Sequence, residues 1–152
     1  MKIFWYLIFI LLVVSACKEV YDPPHQAFAG TYFLNANTQK AFSSNITVWG
    51  DGRKDLWLKD TTVQKVMLPL SSNDTTKLMI SFDSYVDTIT FIHETYQKYE
   101  SMETGFYFEY KLKSIDYTHH RIADIQIADS LVTINWHENI ILYLRPLPAG
   151  GI

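Results

Sequence analysis

The sequence predicts an all-β protein, an antiparallel β-sandwich of about eight short strands with no long helix in the mature chain. Three observations carry this. Apolar and polar residues alternate with period two in several stretches, as where Leu78, Ile80 and Phe82 interleave with Lys77, Met79 and Ser81. Turn chemistry, such as Gly50-Asp51-Gly52 and Ser71-Ser72-Asn73-Asp74, separates these stretches at intervals of roughly 8–12 residues. From Phe28 onward no stretch shows a helical period. A sandwich, Ig-like or prealbumin-like, is favoured over a small barrel because both faces of several strands are partly apolar.

The elements follow in order. Phe28 to Leu34 (FAGTYFL) is the first strand, and Ile46 to Trp49 the second, ended by the glycine turn. Leu56-Trp57-Leu58 is a short strand, and Val63 to Leu70 (VQKVMLPL) another, stopped near Pro69 because proline cannot donate to a ladder. Lys77 to Phe82 and Val86 to Thr95 flank a short Asp83-Ser84 turn. Gly105 to Tyr117 is the cleanest strand. Phe106, Phe108, Tyr110 and Leu112 share one side, and Ile115 and Tyr117 shift to the other, as a bulge requires. Arg121 to Ile127 and Leu131 to Ile134 read as a hairpin around Ala128-Asp129-Ser130, and Asn139 to Arg145 as the last strand. The chain then divides into a signal segment (1–16), a lipidated N-terminus and flexible tether (17–27), one domain (28–147) and a loose tail (148–152).

The N-terminus predicts an address. Lys2 precedes an unbroken apolar run, Ile3 to Val14, followed by the small residues Ser15-Ala16. This is the layout of a secretory signal, and the run is shorter than the ~20 residues that span a bilayer. Val14-Ser15-Ala16-Cys17 resembles the bacterial lipoprotein signal, which implies diacylglycerol on the Cys17 thiol, cleavage before Cys17 and acylation of the new amine. One acyl chain holds a protein only marginally at ~0.8 kcal/mol per buried methylene, whereas two or three anchor it. Lys18-Glu19 resembles the start of the surface-export signal of Bacteroidetes lipoproteins, although Val20 interrupts its acidic run. Pro23-Pro24 favours an extended spacer, in which His25 is expected to be solvated.

Composition narrows the function classes. The formal net charge is −3, and losing Lys2 with the signal makes it −4, which leaves no electrostatic footprint for nucleic acid. Cys17 is the only cysteine, so the acylated protein holds together by packing and hydrogen bonds, without disulfides. Aromatic residues make up 15% of the chain and supply a large core for its size.

Three stretches carry a resemblance: Asn45 to Leu58 (NITVWGDGRKDLWL), Val66 to Phe91 (VMLPLSSNDTTKLMISFDSYVDTITF) and Glu138 to Leu144 (ENIILYL). Their order, with Asp87-Thr88-Ile89-Thr90 and then Gly105-Phe106, resembles a Bacteroidetes lipoprotein family of unknown function, DUF6452. The resemblance covers most of the mature chain and implies lipoprotein location and an all-β domain, but no activity. It also implies a cysteine just before the glycine. Here that residue is Thr104, so the corresponding disulfide is absent from this chain.

The residues that could carry chemistry are few. His119-His120 lies in a sequence that predicts a hairpin loop, YTHHR, where the two rings could converge, whereas adjacent residues on a strand point to opposite faces. His93-Glu94 and His137-Glu138 are further His-Glu steps, but none has zinc-ligand spacing such as H-E-x-x-H. Asp83 with Asp87, and Asp124 with Asp129, flank turns, where aspartate is favoured for backbone reasons. Ser43-Ser44 and Ser71-Ser72 lack a nucleophile elbow. Trp49, Trp57 and Trp136 are more often core residues in a sandwich, although Trp57 is left outward if Leu56 and Leu58 point inward.

The expectation is therefore a non-enzymatic lipoprotein of the outer membrane, anchored through Cys17, with no catalytic residue, metal or cofactor. It contacts the membrane through its lipid and an envelope protein through its domain, on the periplasmic face or the cell surface. The alternative is a glycan-binding accessory lipoprotein that uses Trp57 as its platform.

Overall fold

The computed structural model describes residues 25–147; Cys17, the tether through residue 24 and the tail from residue 148 lie outside them. Ten strands and no helix occur among the described residues. They are β1 (Phe28–Asn35), β2 (Ser44–Gly50), β3 (Leu56–Val63), β4 (Lys65–Pro69), β5 (Thr75–Phe82), β6 (Tyr85–Ser101), β7 (Gly105–Tyr117), β8 (Ile122–Ile127), β9 (Leu131–Val132) and β10 (Ile140–Leu144). They build a sandwich of a four-stranded sheet, β4-β1-β10-β8, and a six-stranded sheet, β3-β2-β5-β6-β7-β9.

The period-two pattern decides which faces meet. Ile46 and Val48 of β2, Leu78, Ile80 and Phe82 of β5, and Ile89 and Phe91 of β6 line the inner face of the larger sheet. Ala29 and Phe33 of β1, Leu68 of β4, Ile122 of β8 and Leu142 and Leu144 of β10 line the smaller. Phe33 and Phe82 meet edge to face across the core, ring centroids 5.8 Å apart. Such a pair contributes about 0.5–1.5 kcal/mol beyond its buried area. The Gly50-Asp51-Gly52 turn forms with Gly52 at φ +70°, where a glycine has no Cβ to clash.

Several expectations need correction. Ala128-Asp129-Ser130 does not close a hairpin. It crosses between sheets, because β8 pairs with β10 while β9 pairs with β7. The amides of Ala128 and Asp129 both donate to the Asn139 carbonyl, at 2.8 and 3.2 Å, and hold the crossing. The sandwich is not wholly antiparallel, since β1 runs parallel to β10 from Thr31↔Ile140 to Asn35↔Leu144. Strand β3 extends to Val63, and Gln64 ends it where the chain leaves the larger sheet for β4 in the smaller one. Strand β6 continues to Ser101, six residues past Thr95. Ala27, placed in the tether by the sequence, is buried in the core.

The β7 bulge forms as expected. Ile92 pairs with Ser114 and His93 with Leu112, which leaves Lys113 as the extra residue and flips the faces beyond it. Tyr110 and Leu112 are buried as the pattern requires. Phe108 and Phe106 share their side, but there the β6–β7 hairpin overhangs the smaller sheet, and both are exposed.

Candidate functional site

Two places gather polar side chains: one end of the sandwich, around Asp87, and a groove beside Trp57.

Asp87 lies on the inward register of β6 with Ile89 and Phe91, and its side chain is wholly buried. It holds the loop that carries the chain from β7 to β8. Thr118 Oγ1 donates to Oδ1 at 2.7 Å and the His120 amide to the same oxygen at 2.8 Å. The Arg121 and Ile122 amides donate to Oδ2 at 2.7 and 3.0 Å. Burial pushes this carboxyl up, but the Thr118 hydroxyl and the three amides outweigh it, and the net shift is below the ordinary aspartate value. Arg121, itself buried, reaches Asp83 Oδ2 at 3.1 Å, donates to the Arg145 carbonyl and lies over the Phe42 ring. Asp83 sits at φ +55° and also accepts from Ser44 Oγ at 3.1 Å. The arrangement pins β7, β8, β10 and the β5–β6 turn together.

The groove has a volume of about 440 Å³ and runs between the β2–β3 turn, the start of β3 and the β4–β5 connection. Asp51, Arg53, Asp55, Trp57 and Lys77 line it, with Lys77 Nζ 3.0 Å from Asp51 Oδ2. Trp57 is placed there by a bulge. Val48 pairs with Leu58 and Trp49 with Leu56, so Trp57 is the unopposed residue. A bulge re-aims its side chain, and the ring tilts onto Phe28 at 5.3 Å while Nε1 donates to the Met67 carbonyl at 2.9 Å. The residue remains 45% exposed. It therefore joins the edges of the two sheets and keeps one face in solvent.

Behind the groove a chain of hydroxyls leads inward. Thr76 Oγ1 accepts the Ser71 amide at 2.8 Å and lies 2.9 Å from Nε2 of buried His93, which packs edge to face on Tyr110. Burial holds the His93 imidazole below its ordinary pKa, against the opposing pull of the Asp74 carboxylate.

The other sequence candidates are dispersed. His120 is exposed, with Nδ1 3.2 Å from Asp87 Oδ1, and His119 packs on Tyr117. His137 points both ring nitrogens at carbonyls, Asn135 at 2.9 Å and Leu131 at 2.7 Å, with Asp129 Oδ2 at 3.4 Å. His25, expected to be solvated, pairs with Glu100. Asp124 accepts from Tyr117 Oη at 3.0 Å, and Asp129 from the Leu131 amide at 2.9 Å. Trp136 is half-exposed beneath Lys65 Nζ, 4.6 Å from its ring centroid. Asp83 and Asp87 do converge, but on Arg121 and its backbone rather than on an open cleft. No group of three His, Cys, Asp or Glu side chains stands ready for a metal ion among the described residues.

Sequence reasoning missed Arg121, Asn139 and the depth of Asp87. The parity of Asp87 with Ile89 and Phe91 was a usable signal. For Asn139 there was none, since no local pattern joins it to the Gly30 amide, 109 positions away, which donates to Oδ1 at 3.0 Å, or to the nearer Asp129 and Leu131 carbonyls, which accept from Nδ2 at 3.1 and 2.6 Å.

No curated protein and no solved structure matches the chain. The model of a family of unknown function, DUF6452, matches residues 45–144, which run from β2 to the end of β10. Over that span, about two thirds of the chain, the agreement assigns the protein, which belongs to the DUF6452 family.

Proposed function

We propose that the protein is a lipid-anchored, non-catalytic module of the outer membrane, held through Cys17 and working by contact with an envelope protein. The observation that carries this reading is the placement of Cys17, directly after a twelve-residue apolar run and the small pair Ser15-Ala16. The side chains best suited to chemistry support a binding or structural role, because Asp87, Arg121 and His93 are engaged in internal hydrogen bonds. The experiment is intact-mass measurement of protein purified from membranes. A mass lacking residues 1–16 and carrying two or three acyl chains is expected, and Cys17→Ser releases the protein to the soluble fraction. An unmodified thiol on membrane-purified protein overturns the reading.

A second reading has its own observation. A half-exposed indole at the rim of a groove lined by Asp51, Arg53, Asp55 and Lys77 matches what a sugar ring needs, an aromatic face flanked by hydrogen-bonding groups. Binding on a polysaccharide array that Trp57→Phe weakens and Trp57→Ala abolishes would support a glycan-binding accessory lipoprotein. An array with no binding removes it.

A further inference from the structure

The β6–β7 hairpin is amphipathic where it overhangs the smaller sheet. Its outer face is charged, with Glu94 2.8 Å from Lys113 and Lys98 3.9 Å from Glu109. Its inner face is aromatic apart from Gln97 opposite Phe108, and it is exposed among the described residues. Tyr99 and Phe106 are cross-strand partners whose rings meet at 5.3 Å, and they are 59% and 55% exposed. Phe108 continues the face inward, and Met102 at the apex is 94% exposed. An apolar end of this kind is expensive to keep in water.

The position of this end relative to the chain's entry identifies its occupant. His25 is bonded to Glu100 at the end of β6, and together with Phe28 it shares a groove of about 320 Å³ with Phe106 and Phe108. The chain thus enters the domain beside the hairpin tip, and the turn at Asn37 and Thr38 lies at the far end of β1. From Cys17 to His25 is eight residues, which reach at most about 28 Å when fully extended. An anchor at Cys17 therefore joins the lipid to the hairpin end, the end at which the chain enters the domain, and its reach lets that end lie against the bilayer. Tyrosine, phenylalanine and methionine on one face with charges on the other suit the headgroup boundary, where aromatic rings sit preferentially.

We infer that the inner face of the β6–β7 hairpin, through Tyr99, Met102, Phe106 and Phe108, rests in the interface of the membrane that holds Cys17. The inference rests on the lipid-anchor reading above. It gives the domain a fixed pose, with the Asp87 end directed away from the bilayer. Cys17 is the only native cysteine and its sulfur is used by the lipid, so a single introduced thiol is labelled cleanly.

The test uses the lipidated full chain in phosphatidylethanolamine–phosphatidylglycerol vesicles containing a brominated phosphatidylcholine. An environment-sensitive dye is attached through Met102→Cys or, at the opposite end, through Thr38→Cys, and intact mass of each sample records the state of Cys17. The expected result is emission at position 102 quenched several-fold more than at position 38, with the difference lost in Phe106→Asp that retains its far-ultraviolet β spectrum. Acylated Cys17 with equal quenching at the two positions overturns the docking and leaves the anchor intact. A dye at position 102 shielded from aqueous iodide but untouched by the brominated lipid also overturns it, and assigns the face to the chain's own residues 17–24. An unmodified Cys17 overturns the anchor and the docking together.

Discussion

The Asp87 carboxylate holds the Arg121 amide at 2.7 Å, while the Arg121 side chain turns away to bind Asp83 at 3.1 Å. One buried acid thus fixes the backbone of a residue whose cation is neutralised by a second acid four positions earlier in the chain. The pairing links β6 to the start of β8 and closes the end of the sandwich. Replacing Asp87 with Ala strands three amides, a hydroxyl and the Arg121 loop without their acceptor. A loss of about 3–5 kcal/mol of unfolding free energy is expected by urea titration. Asp87→Asn keeps the shape but loses charge and one acceptor, and a loss of about 1–3 kcal/mol is expected.

The same residue sets an acid limit. Its folded pKa lies below the ordinary value of 3.8, so the unfolded chain takes up the proton first as pH falls. The stabilisation is complete above that ordinary value and disappears as pH drops through the folded one. Asp87→Asn is expected to flatten this acid limb of the stability profile, measured by denaturation between pH 5 and the acid midpoint.

His93 adds a second limb at higher pH. Its folded pKa is held below 6.5 by burial, so protons again favour the unfolded chain. Stability from this group is full above 6.5 and falls as pH decreases from there toward the folded value. His93→Gln is expected to remove that slope, while costing about 1–2 kcal/mol at pH 8 through the changed contact with Thr76.

Gly30 marks a close approach of β1 to the connection between β9 and β10. A Cβ at this position would overlap the His137 carbonyl oxygen and crowd Trp136. Gly30→Ala must therefore displace backbone at the start of β1, and a loss of at least about 2–3 kcal/mol is expected. Asn139→Ala, which removes the acceptor of the Gly30 amide and a donor from each of the Asp129 and Leu131 carbonyls, is expected to cost about 2–3 kcal/mol. Because both changes act on one contact, the double variant should cost less than their sum.

Trp57 carries a structural and a proposed binding role that differ in their demand on the indole nitrogen. Trp57→Phe removes the bond to the Met67 carbonyl but keeps an aromatic ring against Phe28, with an expected cost of about 1 kcal/mol. Trp57→Ala loses the ring as well and is expected to cost about 2–3 kcal/mol by thermal or urea unfolding.

The sequence by itself determined the strands and their faces. Alternation in Lys77–Phe82 and in Gly105–Tyr117, with the bulge near Lys113, is local information, because a side chain's face follows from its parity. The proposed lipid-anchor signal at Cys17 is likewise a reading of consecutive residues. Tertiary structure decided the pairing: the parallel β1–β10 contact, the separation of β8 from β9, and the bulge that turns Trp57 toward the other sheet. It also turned Asp87, Arg121 and Asn139 into fastenings with several partners each, some of them 24 to 109 positions away. A strand's own residues set its propensity and its wet and dry faces. Its neighbour is chosen by which edges satisfy their backbone groups once two sheets close on one core, and that selection is made only in the folded whole.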